Sequence, residues 1–112
     1  MSIDQQMVKG SVSIMLLSLL TRSDMYGYQM IQELARISGN IFEFKEGTLY
    51  PVLQGLEKNG FVEAYWENTS MRRKRKYYHI TEKGRRHLGS KHEEWRRITE
   101  AVNKVLEDVA YE

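Results

Sequence analysis

The chain has 112 residues, no cysteine, 41% hydrophobic and 29% charged residues. That is the size and composition of one globular domain, and the lack of cysteine excludes disulfides, thiol nucleophiles and Cys-based metal sites. The net charge of +2 hides a sharp division: residues 72–87 carry eight Lys/Arg against one Glu, whereas the flanking stretches are −3 and −2. One strongly basic stretch between two acidic ones points to an anionic partner for a single part of the surface.

Residues 5–22 read as a first helix that Asp4 can cap, with Met7, Ser11, Ile14, Leu17 and Ser18 at helical spacings. The run Ile14–Leu17 is apolar on nearly all sides, so this helix needs cover on more than one face. It is too short to span a bilayer, and the acidic start with no cleavage site does not read as a signal peptide. A cytoplasmic protein without membrane contact is expected.

A second helix is expected at about Tyr26–Ser38, stopped by Gly39-Asn40. Residues 41–44, Ile-Phe-Glu-Phe, alternate like a short strand. The third helix, Glu46–Asn59, carries the stripe Leu49, Val52, Leu53 and Leu56, and Gly60 ends it. Its proline, Pro51, is placed in the first turn, where a missing N–H costs little. Two strands follow, Phe61–Trp66 and Lys76–Ile80, joined through an extended basic tip. Thr81 then caps a long fourth helix, which Gly84 weakens in its first turn. Leu88, Trp95, Val102 and Val109 recur every seven residues, with Ile98 and Val105 as a second seam.

Three helices and a hairpin in this order describe a winged helix-turn-helix: mainly α with a small β-hairpin, an α+β fold, extended by a long C-terminal helix for dimerisation. We divide it as residues 1–80, the DNA-binding unit, and 81–112, the dimerisation helix packed with helix one. The third helix becomes the groove reader, offering Lys45, Thr48, Tyr50, Gln54 and Lys58. Thr48 and Tyr50 can donate to phosphates, and the Gln54 amide can read an adenine edge. Glu46 and Glu57 oppose DNA, and packing against the wing is the alternative role for Tyr50. Arg72, Arg73, Lys74, Arg75 and Lys76 put five consecutive cations at the wing tip and return strand, suited to phosphates or a minor groove. A solubilising loop is the plainer reading of such a run, but its coincidence with a wing favours DNA. Trp95, Ile98, Val102, Val105 and Leu106 form an apolar seam without cover in one copy, which predicts a symmetric dimer. His87 and His92 are five apart, not the i, i+4 spacing of a helical metal pair, and His79 reads as a surface histidine near DNA. No nucleophile elbow, phosphate loop or paired-carboxylate pattern is present, so a binding module is favoured over an enzyme, with no cofactor and no metal.

Three strings then carry a resemblance. They are Met25-Tyr26-Gly27-Tyr28, the run Glu46–Gly60 with its Gly47-Thr48-Leu49-Tyr50-Pro51, and Arg75–Gly84 with its Lys76-Tyr77-Tyr78. In order and spacing, over about residues 7–107, they resemble the PadR family of bacterial transcriptional regulators, and the short chain resembles its small subfamily with one C-terminal helix. The resemblance implies a dimeric repressor on a pseudo-palindromic operator, contacting DNA through Thr48, Tyr50, Gln54, Lys58 and the wing cations. Where many members have glycines before Lys-Tyr-Tyr, this chain has Met71 and four cations. Trp95 aligns with a tryptophan that, in multidrug-responsive members, faces its symmetry mate across the dimer and stacks on planar aromatic or cationic compounds. Ser11, Ile14, Met15, Glu94, Ile98 and Thr99 would complete such a pocket, and Glu94 or Glu100 would favour a cation. From heptad position alone, Trp95 is an interface-filling side chain. A ligand-independent regulator, and a protein adapter using the same fold without DNA, are the rival functions.

Overall fold

The computed structural model describes residues 8–69 and 73–110. A 3-10 turn, Lys9–Ser11, leads into α1, Val12–Leu20. β1, Met25–Tyr26, runs directly into α2, Gly27–Ile37. Then come α3, Glu46–Lys58, β2, Val62–Asn68, β3, Lys74–Ile80, and α4, Glu82–Ala110. The three strands form one antiparallel sheet in the order β1-β3-β2. This is the expected α+β winged helix-turn-helix with its long C-terminal helix.

The core gathers one face of each element. Leu16, Leu17 and Leu20 of α1 meet Met30 and Leu34 of α2, Leu49, Leu53 and Leu56 of α3, and Val62, Tyr78 and Ile80 of the sheet. Five of the nine α1 residues are buried, because α2, α3, β3 and α4 all pack against this helix. The all-round apolar character of α1 is therefore largely satisfied within one protomer. Burying a Leu or Met side chain fully contributes roughly 1.5–3 kcal/mol.

Both helix stops foreseen at glycine are real and share one mechanism. Gly39 and Gly60 adopt left-handed φ values of 63° and 76°. After α2, the Asn40 N–H reaches back to the Ala35 carbonyl at 2.8 Å; after α3, the Phe61 N–H reaches the Leu56 carbonyl at 2.9 Å. Each closes the wide helix-ending loop that only a residue free of a Cβ enters at low cost. Lys83 adds a donor at the end of α3, placing Nζ 2.8 Å from the Asn59 carbonyl oxygen.

Several expectations need correction. The regular part of the first helix is shorter than residues 5–22, and Asp4 and Met7 lie outside the described residues. Residues 41–44 form no strand. Phe42 and Phe44 stack with centroids 5.7 Å apart and turn inward, Phe44 into the core, so their alternation records packing rather than sheet pairing. The two residues of β1 take the place beside the hairpin instead, pairing Met25 with Tyr78 and Tyr26 with Tyr77. Pro51 is the sixth residue of α3, in the second turn rather than the first. It deprives the Gly47 carbonyl of its helical donor, but Gly47 and Pro51 are both exposed, where solvent can take the donor's place.

The start of α4 is built as expected at Thr81 and differently at Gly84. Thr81 Oγ1 accepts the Gly84 N–H at 3.0 Å and donates to the Gly60 carbonyl at 2.7 Å. The Thr81 N–H donates to the Phe61 carbonyl at 3.1 Å. Gly84 is buried against that same carbonyl: a Cβ there would stand 2.1 Å from the Phe61 oxygen. The glycine is the condition for docking α4 on the turn after α3. One turn later the His87 ring stacks on Phe61 with centroids 3.9 Å apart. Leu88 packs on the core. The rest of the helix leaves the domain, and its 29 residues account for most of the 62 Å long axis of the molecule.

Candidate nucleic-acid interface

The second and third helices share the core and meet closely at one further point. A Cβ on Gly27, the first residue of α2, would sit 2.7 Å from the Tyr50 hydroxyl oxygen. Tyr50 therefore lies flat over the start of α2, half-buried, and its partner is that helix. Burial, with nearby Glu46 adding, raises its phenol above the ordinary range. Thr48 is half-buried as well, while Lys45, Gln54 and Lys58 are exposed on α3.

The wing cations look equivalent in the sequence and are not equivalent in space. Opposed residues of an antiparallel pair share a face, and successive residues alternate. Val62 with Ile80, Ala64 with Tyr78, Trp66 with Lys76, and Asn68 with Lys74 form the face that begins in the core. Glu63 with His79, Tyr65 with Tyr77, and Glu67 with Arg75 form the opposite one. Arg72 lies outside the described residues. Arg73 is exposed, and its carbonyl accepts the Thr69 N–H at 2.8 Å, closing the tip. Lys74 is exposed on the core-side face. Arg75 sits over the Tyr26 ring, 4.4 Å from its centroid, on the far face. Lys76 reaches Glu57 of α3, with Nζ 3.3 Å from Oε1. Partial burial is the largest single influence and works against the Lys76 charge, but the hydrogen bond and charge of Glu57 together with Tyr78 outweigh it and hold the ammonium above its ordinary range. Glu57, which looks opposed to DNA in the sequence, is neutralised by the wing and fastens the wing to α3.

The far face carries a clasp that sequence reasoning missed. The Asp24 carboxylate accepts the Tyr65 hydroxyl at 2.6 Å on one oxygen and lies 2.8 Å from His79 Nδ1 on the other. Its partners are 41 and 55 residues away, so no local pattern could announce it. Burial opposes the Asp24 charge, yet the bonds from Tyr65 and His79 prevail and keep the carboxyl below its ordinary range. The same bond to Asp24 pushes Tyr65 up to about 12. Tyr77 packs beside this clasp, stacked on Tyr65 at 5.8 Å and edge-on to Tyr26 at 5.4 Å. The sheet is thus tied to the turn before β1, and the wing is held at both its faces.

The projecting helix offers a second surface. Trp95 is 38% exposed, Ile98 51%, Val102 49%, and Val105 and Leu106 both 61%. An open recess on a neighbouring face of this helix is lined by Ser90, Glu93, Glu94, Arg97, Ile98 and Ala101, without Trp95. Glu94 is 3.3 Å from Lys91 Nζ, and Arg96 joins Glu93 and Glu100. The Thr99 hydroxyl is turned back onto its own helix, bonded to the Trp95 and Arg96 carbonyls. Ile14 and Met15 are half-buried on α1, whereas Ser11 is buried with its hydroxyl donating to the Val8 carbonyl. Among the described residues, no group of His, Asp and Glu side chains is placed to hold a metal, and no helix is long and apolar enough to cross a membrane.

Comparison with known proteins agrees with this geometry. The model of the transcriptional regulator PadR-like family matches residues 16–90. A transcriptional regulator from Clostridium thermocellum superposes with a TM-score of 0.83 at 33% identity, covering 88% of this chain and 96% of its own. A PadR family transcriptional regulator from Eggerthella lenta gives 0.80 at 31% identity, over 91% and 87% of the two chains. An uncharacterised protein of Lysinibacillus sphaericus is 38% identical over 100 residues, 89% of this chain and 92% of its own.

Proposed function

Since this chain belongs to the PadR-like family of transcriptional regulators, we propose that it acts as a homodimeric repressor of a pseudo-palindromic operator, relieved by a planar aromatic or cationic molecule. The observation that carries the dimer is the bare seam of α4. Large apolar side chains from Ile98 to Val109 stand 49–69% exposed on the part of α4 that has left its own domain. A second copy related by a two-fold axis covers them with the same residues, and α1 lies alongside the base of α4 to extend the contact. Two α3 helices then meet half-sites about one helical turn apart, ~34 Å.

Lys45, Thr48, Tyr50, Gln54, Lys58 and the free wing cations supply the DNA contacts in this reading. Arg73 and Lys74 are the electrostatic anchors, because Arg75 is stacked on Tyr26 and Lys76 is engaged by Glu57. Replacing Arg73 and Lys74 together by Ala is expected to weaken binding to a mixed-sequence duplex. It should flatten the slope of log affinity against log salt by roughly one for each phosphate that is no longer neutralised. Arg75→Ala should change the slope far less. An unaltered slope in the double variant would remove the wing from the interface.

In this reading the effector binds at Trp95, with two indoles from symmetry-related helices bracketing a flat molecule. Stacking on an indole face gives attraction without strict hydrogen-bond geometry. Relief of repression follows if the bound molecule prefers a helix spacing that misplaces the α3 pair. In a Trp66→Phe protein, rhodamine 6G is expected to quench the remaining tryptophan emission. Trp95→Ala should abolish dye binding and leave the dimer intact by sedimentation. Dissociation of Trp95→Ala into monomers would make Trp95 an interface residue and end the effector reading.

A further inference from the structure

We propose that the Trp66 indole is a direct contact between the wing and duplex DNA, lying against the sugar–phosphate wall of the groove. The inference rests on the DNA-binding reading above and names a residue that the run of cations conceals.

Trp66 opposes Lys76 across the hairpin, so the two share the face that begins in the core at Val62 and Ile80. Lys76 reaches Glu57 of α3 from that face. The Trp66 face is therefore the one turned toward α3, the helix that enters the groove. Trp66 is 64% exposed there although it lies well inside a seven-residue strand. The other aromatic residues of the sheet contrast with it. Tyr26, Tyr65 and Tyr77 pack on one another on the far face, under Arg75, and Tyr65 is bonded to Asp24. Tyr78 is buried. Only Trp66, among the described residues of the sheet, presents a large aromatic surface toward α3 and leaves it open.

Charge selects the occupant. Lys74 and Lys76 flank Trp66 on the same face, and Arg73 follows at the tip. A second copy of this surface would bring like charges together, whereas a polyanion is attracted to them. An indole matches a nucleic-acid backbone twice: its face covers deoxyribose, and its N–H donates to a phosphate oxygen. Lys74 and Arg73 bring the wing to the duplex, and the indole adds a contact that salt does not screen.

That difference makes the proposal testable with a fluorophore-labelled mixed-sequence duplex at several salt concentrations. Trp66→Ala is expected to weaken binding by about tenfold, within the range for aromatic contacts to nucleic acid. Its slope of log affinity against log salt should match the wild type, unlike that of the Arg73 and Lys74 variant. Trp66→Phe should recover most of the affinity. Duplex addition should also change wild-type tryptophan emission, and change that of Trp66→Phe far less. Wild-type affinity in Trp66→Ala overturns the proposal while DNA binding stands. So does an emission change in Trp66→Phe as large as that of the wild type. Absence of duplex binding by the wild-type protein overturns the DNA reading itself, and this inference with it.

Discussion

Val102→Glu is expected to turn the protein into a folded monomer that no longer holds its operator. Val102 sits mid-seam, 49% exposed, on the part of α4 that has left its own domain. The substitution disturbs no packing within the protomer, and Glu is at least as good a helix former as Val. Across a two-fold axis the same position recurs, so a dimer would bury two carboxylates in an apolar strip without partners. Uncompensated burial of a charge costs several kcal/mol, so the dimer should dissociate at least about a hundredfold more readily. A monomer carries one α3, which forfeits the second half-site. Sedimentation and duplex binding, measured on the same preparation, check both halves. A Val102→Glu protein that remains a dimer would show that the seam is not the interface.

Gly84→Ala is expected to be the most damaging small change in the chain. Helix propensity alone predicts the reverse, a gain of about 1 kcal/mol. Geometry decides, because the added carbon would stand 2.1 Å from the Phe61 carbonyl oxygen and 2.9 Å from Ile80 Cγ1. Relief requires α4 to lift from the Asn59–Phe61 turn, which loosens the Thr81 bonds and the Phe61–His87 stack together. A loss of about 3–5 kcal/mol is expected, in line with clashes and broken networks in cores. Gly89, one turn and a half further on, has open space around its missing Cβ. Gly89→Ala should therefore stabilise the helix by about 0.5–1 kcal/mol. Urea unfolding of the two variants tests the opposite signs within one helix. If Gly84→Ala were neutral, the docking of α4 would be softer than its geometry implies.

The elements legible in the sequence were those whose cause is local. The stripe Leu49, Val52, Leu53 and Leu56 marks α3 by its own spacing, and Gly39 and Gly60 mark the ends of α2 and α3 by their backbone freedom. What stayed hidden depends on residues far apart in the chain. β1 is a strand only because Tyr77 and Tyr78 return to pair with it. Phe42 and Phe44 alternate as strand residues do, yet no edge lies beside them and they pack inward instead. Lys74, Arg75 and Lys76 differ through the sheet's alternation and through Glu57 and Tyr26, neither of which adjoins them. Gly84 reads as a weak point of a helix until the Phe61 carbonyl is in place above it. At the candidate site, the sequence supplied residue types and their chemistry, whereas the division between engaged and free side chains arises from register.

Thr81 is the only residue between β3 and α4, and its side chain and backbone are both bonded to the turn before β2. The connection therefore works as a welded elbow rather than a joint. From that elbow to Trp95 the helix runs about 20 Å, and the seven residues of β3 extend about 23 Å the other way toward the wing tip. Arms of nearly equal length transmit displacement at a ratio close to one. In the proposed dimer, a shift of about 1 Å between the paired α4 helices would reach the wing as a shift of similar size, comparable to the tolerance of a hydrogen bond. The molecule needs no flexible linker to couple its ends, and softening the elbow should uncouple them while each end keeps its own affinity.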